Sequence, residues 1–501
     1  MPRLALLLLA AFAAGTSAAD LKLPALFSDH MVLQRDKAVA VWGWADAGEE
    51  VTVEFAGQKK AAKADDAGKW SLRLDALAAS AEGRPLVVSG KDGRKATVSD
   101  VLVGDVWLGS GQSNMAMTVN RAKDFAQEKA AANLPLIRHF KEESAGATSA
   151  QAHAKGSWLA CSPDNVGGFS ATLYFFGREL HRELGVPIGL INTSVGGTPI
   201  EAWIATETQT ADAGLSRGLE LQKEHYAALE KAAAQSAPQS KTARKTKKIS
   251  LSTRSSGQLF DGKVAPLAPY TLTGMLWYQG EANSADTRAP LYAAQLSALI
   301  RDWRARWGEE LPFAWVQLPN FGRPGEGWPL MREAMLKPLA LPKTGMAVTI
   351  DIGEAKDIHP KNKQEVGRRL SLWALGTIYG RKVAATSGPL PAGHEIKGAE
   401  VIVTLAHAEG LKTRDGAPVK GLLLAGADKQ WKPAVGKIDG AKLIVSSAEV
   451  PAPVALRYAW QGFPETNLVN GADLPASPFR TDDWAPPPPA APAAKGKGKA
   501  K

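Results

Sequence analysis

Cysteine is almost missing: Cys161 is the only one in 501 residues, so no disulfide can form within the chain. A protein of this length can hold itself together by its own core, and a lone thiol is then more often a small core residue than a nucleophile. Long apolar runs are missing too. The run at residues 4–14 is too short to span a bilayer comfortably, and no later segment is longer. Neither an H-E-x-x-H zinc signature nor a phosphate-binding P-loop occurs, so the sequence implies no metal and no cofactor.

Charge of one sign is not scarce, but it is concentrated. The formal net charge is +10. Lys241, Arg244, Lys245, Lys247, Lys248 and Arg254 lie in one Ser/Ala/Thr-rich stretch, and Lys495, Lys497, Lys499 and Lys501 lie in the tail. Those two segments account for the whole excess and leave the rest near neutral. Neither carries the interleaved aromatics of a nucleic-acid surface, so no nucleic-acid partner is expected. An adhesin using these lysines is the remote alternative, and it would bind in a salt-dependent way.

Arg3, the apolar run behind it and Ser17-Ala18-Ala19 have the layout of a secretory signal peptide over residues 1–19, with no cysteine after it to carry a lipid. The expected location is secreted or periplasmic, with no membrane span. Residues 20–100 alternate in the β manner (Val39/Val41, Val51/Val53/Phe55, Trp70/Leu72/Leu74) between Asp-Ala-Gly turns, which suits a small sandwich. Residues 101–380 change to apolar strands alternating with helices. Leu173, Phe176, Leu180 and Leu184 form one helical stripe stopped by Gly185, and Tyr292, Leu296, Leu299, Trp303 and Trp307 form another stopped by Gly308. The apolar runs 101–108, 188–191, 272–278, 313–318 and 346–350 imply a parallel sheet covered on both faces. Within this unit residues 232–256 are a flexible basic insertion. Residues 381–481 return to β alternation as a C-terminal β domain, and 482–501 form a disordered Pro/Lys tail.

Ligands of open parallel sheets bind beyond the carboxyl ends of the strands. Ser113 follows the first apolar run in Gly111-Gln112-Ser113-Asn114-Met115, where a hydroxyl would be exposed. Met115 replaces the second glycine of a nucleophile elbow, and a helix cap or turn is the plainer role for this serine. Gly196-Gly197-Thr198 follows the second run, Gln279-Gly280-Glu281-Ala282-Asn283 the third, and Asp351 and then Asp357-Ile358-His359-Pro360 the last. A serine hydroxyl needs a base, and His359 is the best placed histidine to take its proton. Asp357 is the candidate to orient that imidazole, with Asp351 or a backbone carbonyl as alternatives. The N–H of Ser113, of Gly196 or of Gly197 and the Gln279 amide are candidate oxyanion donors. Glu281 and Asn283 are candidate substrate-binding residues, although Glu281 suits a structural ion pair as well. His359 could instead cap the helix carrying Val366, Leu370 and Trp373, and Gly196-Gly197 could be only a tight turn.

Together these blocks resemble the sialate O-acetylesterase family of the Ser-Gly-Asn-His hydrolase superfamily. The resemblance runs from Leu26-Phe27-Ser28-Asp29-His30-Met31-Val32-Leu33-Gln34-Arg35 through Gly196-Gly197-Thr198-Pro199-Ile200-Glu201-Ala202-Trp203 and Trp277-Tyr278-Gln279-Gly280-Glu281 to Arg457-Tyr458-Ala459-Trp460 and Asn467-Leu468-Val469-Asn470. It implies an α/β fold: a flavodoxin-like three-layer hydrolase domain flanked by N- and C-terminal β-sandwich-type regions. It implies a serine esterase acting on O-acetylated sugars or polysaccharides, with Ser113 as nucleophile, His359 as base and Gly196 or Gly197 with Gln279 as oxyanion hole. Gln279 stands where many superfamily members carry Asn. The acid and base are spaced D-x-H rather than D-x-x-H, which leaves the acid open between Asp357 and Asp351. An acetylxylan or other polysaccharide acetylesterase is the alternative enzyme, and a carbohydrate-binding protein on an inactive esterase fold the alternative without turnover. The 15 Trp could include stacking platforms for sugar rings, although most such residues are core.

Overall fold

The computed structural model describes residues 21–236 and 255–485. The signal-peptide reading of residues 1–19, most of the basic insertion and all but the first residues of the tail lie outside them. Helix Ala213–Ser236 carries the chain into the insertion, and Asp482, assigned to the tail by sequence, is buried in ion pairs with Arg457 and Arg480.

A mixed α/β architecture surrounds one large sheet. Its main path runs through β1 (Lys95–Gly111), β2 (Leu134–Glu142), β3 (Gly156–Cys161), β4 (Ile188–Ser194), β5 (Gly274–Tyr278), β6 (Phe313–Val316) and β7 (Thr344–Ala347), in spatial order β7-β6-β5-β1-β4-β2-β3, and four further strands pair off it. All neighbours on this path are parallel except β2 and β3, an antiparallel pair at one edge. The strand β2 is absent from the apolar runs read in sequence because Arg138, His139 and Lys141 interrupt it. Two of these are buried with compensation: Arg138 pairs with Asp100, and the His139 ring stacks on Phe169 at 4.6 Å.

β1 is the spine. Every residue from Val101 to Gly111 is buried, the signature of a central parallel strand covered on both faces. Its first part pairs antiparallel with Ser80–Ser89 and its last part lies between β4 and β5. The boundary expected at residues 100/101 therefore falls inside one continuous strand. Val51, Val53, Phe55, Leu86 and Val88 of the N-terminal strands share a hydrophobic core with the central sheet.

Side chains alternate across the sheet. Trp107 packs edge-on against Phe176 of α2 (Ala171–Leu184) and Trp373 of α4 (Lys363–Trp373). On the opposite face Trp277 meets Trp303 of α3 (Tyr292–Trp307) at 5.9 Å. Helices thus cover both faces. Both stop signals act as read: Gly185 and Gly308 take left-handed conformations, φ +69° and +64°, at the helix ends. Cys161 is buried, and burial pushes its thiol up to about 12, which fits the core reading.

Beyond residue 390 two four-stranded antiparallel sheets share a second hydrophobic core, in which Val401, Val403, Leu443 and Val445 face Leu422, Leu424, Leu456 and Tyr458. Arg332 ties this region to the central one. Its buried guanidinium donates to the carbonyls of Leu318, Pro319, Gln461 and Gly462.

Candidate active site

Register brings the site together. Ser194 of β4 and Tyr278 of β5 both pair with Gly111, so three strands end at one level. The chain leaves β1 through Gly111 at φ +132°, where an added Cβ would lie 2.2 Å from the Tyr278 carbonyl oxygen. Only glycine fits there. Gln112 N–H then donates to that same carbonyl at 2.9 Å, and Ser113 opens the short helix α1 (Ser113–Ala116).

Ser113 Oγ lies 2.9 Å from His359 Nε2. His359 Nδ1 faces Asp357 Oδ1 at 3.3 Å, and the same carboxylate oxygen accepts the His359 backbone N–H at 2.9 Å. Lys361 Nζ donates to the other Asp357 oxygen at 2.6 Å, and chiefly through this bond holds the carboxyl down at about 2. Burial lowers the His359 pKa, against the pull of Asp357 in the other direction. The imidazole is then neutral at neutral pH and free to accept a proton at Nε2. The cap of α4 is Asn362, whose side chain accepts the Glu365 N–H, so His359 is not spent on capping.

Asp351 is occupied elsewhere. Arg369 clamps both of its oxygens at 2.7 and 2.9 Å, and Arg414 adds a third contact at 3.1 Å. It makes no contact with His359; of the two carboxylates Asp357 is the one within bonding distance of the imidazole.

Gly196 lies against Ser113, and a Cβ there would come 3.5 Å from Ser113 Cβ. The turn is held by Val195 N–H on Gly111 O and by the Thr198 hydroxyl on Val195 O. Among the described residues the N–H groups of Ser113, Gly196 and Gly197 donate to no protein acceptor, and Gly196 and Gly197 are exposed. The Gln279 amide is fully buried: its nitrogen lies within hydrogen-bond reach of Asn283 Oδ1, Thr198 O and Gln112 Oε1, and its oxygen accepts from Tyr292.

The two candidate substrate-binding residues turn inward. Asn283 receives Gln279 and the Ile200 N–H and donates to the Glu201 carboxylate, which Arg288 also pairs. Glu281 accepts from Asn114 Nδ2 at 2.6 Å, and its second oxygen is buried with no partner. Both side chains are buried, Asn283 wholly and Glu281 nearly so. Their short spacing from the strand end is compatible with either orientation. Sequence reasoning missed Lys363, a buried lysine whose Nζ donates to Asn114 Oδ1 at 2.6 Å. Its signal was present: Lys363 falls on the same helical stripe as Val366, Leu370 and Trp373, where a charge is out of place. The Trp residues at 107, 203, 277 and 303 are wholly core and offer no platform to a sugar.

A family model described as "Carbohydrate esterase, sialic acid-specific acetylesterase" matches residues 103–236 and 254–374. The chain is similar to the sialate O-acetylesterase of Rattus norvegicus, 31% identical over 513 residues, covering 90% of this chain and 92% of that protein. The Mus musculus sialate O-acetylesterase is 30% identical over 507 residues with the same coverage. Among solved structures, a carbohydrate acetylesterase from Xanthomonas citri is 40% identical with a TM-score of 0.82, covering 93% of this chain and all of that one. The chain is a carboxylic ester hydrolase, and it belongs to the sialic acid-specific acetylesterase family of carbohydrate esterases.

Proposed function

We propose that this chain is a serine esterase that removes O-acetyl groups from carbohydrates, with sialates as the first substrate class, through an acetyl-Ser113 intermediate. The observation that carries the reading is the 2.9 Å contact between Ser113 Oγ and His359 Nε2 beside unspent backbone donors. His359 takes the hydroxyl proton as Oγ attacks the acetyl carbonyl, and the imidazolium returns it to the departing sugar oxygen. Asp357 holds the proton on Nδ1 and stabilises the imidazolium. The oxyanion is met by the N–H of Ser113 and of Gly196 or Gly197. Gln279, already bonded to Thr198 and Gln112, steadies that turn. Water activated by the same histidine then releases acetate.

The same proposal covers architecture and location. With the β2–β3 hairpin set aside, the order β4-β1-β5-β6-β7 follows the flavodoxin-like 2-1-3-4-5 pattern. The division into an N-terminal β domain (20–100), an esterase domain (101–380) and a C-terminal β domain (381–481) belongs to this reading. So does export under a signal at 1–19; no helix of the described residues is long and apolar enough to cross a membrane.

The test is acetate release from O-acetylated sialic acids, acetylated xylan oligomers and monosaccharide acetates, comparing the parent chain with Ser113→Ala. Release that Ser113→Ala abolishes supports the mechanism, and the best substrate names the specificity. Sugar binding without any release would replace the esterase by a binding protein.

A further inference from the structure

Asn114 sits beside the nucleophile in the chain, yet its side chain is wholly buried and fully committed. Its Nδ2 donates to the carbonyl of Ile358, the residue before His359, at 3.0 Å, and to Glu281 Oε1 at 2.6 Å. Its Oδ1 accepts from Lys363 Nζ at 2.6 Å. One amide therefore joins three segments: the Ser113 turn, the His359 loop, and the turn after β5. Lys363 opens α4 four residues beyond His359, is fully buried, and lies 5.1 Å from the Tyr278 ring.

We propose that the buried Lys363–Asn114–Glu281 chain positions the catalytic pair, locking the His359 loop to the Ser113 turn so that Oγ and Nε2 stay in bonding distance. This rests on the Ser113/His359 reading given above. A half-satisfied polar cluster in the interior is costly, and the free Glu281 oxygen marks this one as kept for something other than packing. Burial also pushes Lys363 down to about 7 and Glu281 upward, and the charge of each opposes the other's shift. Asn114 and Lys363 are wholly buried and Glu281 nearly so, and the Ser113 Oγ contact is to His359 and to none of the three. They are positioning residues, and the geometry they hold is one in which an error of about 1 Å costs on the order of a hundredfold in rate.

The experiment compares the parent chain with Lys363→Met, Glu281→Gln and Ser113→Ala, using 4-nitrophenyl acetate turnover and the rate of Ser113 labelling by a fluorophosphonate. Lys363→Met keeps much of the volume and removes the donor. Folding is checked by thermal melting. The expected result is a kcat lower by about tenfold or more with KM within about threefold, and a labelling rate reduced by a similar factor. If Ser113→Ala is inactive while folded Lys363→Met and Glu281→Gln keep parental kcat and labelling, this inference alone is overturned. If Lys363→Met does not fold, the nearly isosteric Glu281→Gln decides by the same two readouts. If Ser113→Ala retains activity, the reading of the site falls and this inference falls with it.

Discussion

Ser113 and His359 stand 246 positions apart in the chain and meet at 2.9 Å, Oγ to Nε2. The contact exists because β1 lies at the centre of the sheet and the loop after β7 folds back across the strand ends. A proton held on Nε2 would remove the acceptor. Esterase kcat/KM is therefore expected to fall as pH drops through the His359 pKa. Burial lowers that pKa, so the half-maximum should lie below the ordinary histidine value of about 6.5. A pH profile between 4 and 8 checks this, and an acid limb centred above 7 would contradict it.

Asp357 and Asp351 should separate cleanly. Asp357→Asn takes away the carboxylate that raises the imidazole pKa and orients Nδ1, so kcat should fall by about tenfold or more and the acid limb should move to lower pH. Asp351→Asn should leave kcat within about threefold. It takes one carboxylate from Arg369 and Arg414, which keep Glu365 and Asp473, and should cost roughly 2 kcal/mol of stability. Steady-state kinetics and urea unfolding of the two variants distinguish the roles.

Gly111 is a backbone requirement. Gly111→Ala places a methyl 2.2 Å from the Tyr278 carbonyl at a φ of +132°, and should destabilise by about 2 kcal/mol or more while displacing Ser113. Gly196→Ala offers a contrast, since its methyl would make an ordinary 3.5 Å contact with Ser113 Cβ. Melting temperatures should show a clear loss for the first and little for the second.

Arg332 should be indispensable for docking the C-terminal β region. Arg332→Met leaves the Leu318 and Gln461 carbonyls without their donor, while Pro319 O keeps Trp328 Nε1 and Gly462 O keeps the Phe321 N–H, which should cost roughly 3 kcal/mol. Denaturant unfolding measures the loss. Limited proteolysis should cut first near residues 461–465 in the variant.

By itself the sequence marked the elements that carry a strong apolar pattern, because that information is local. Apolar periodicity wrote α2 and α3 almost to the residue, with Gly185 and Gly308 as their stops. The runs before Ser113, Gly196, Gln279 and Asp351 marked strand ends, so the side chains of the site were legible as a set. The β2 strand was not, since buried Arg138 and His139 read as surface until their partners are known. Only the tertiary structure put Asp357 and not Asp351 beside His359, turned Glu281 and Asn283 inward, and brought Lys363 onto Asn114 next to Ser113. Those choices depend on which distant groups share a buried space. A charge is placed by the partner that offsets its desolvation, and that partner is found only when the sheet register and the loop crossings bring it within bonding distance.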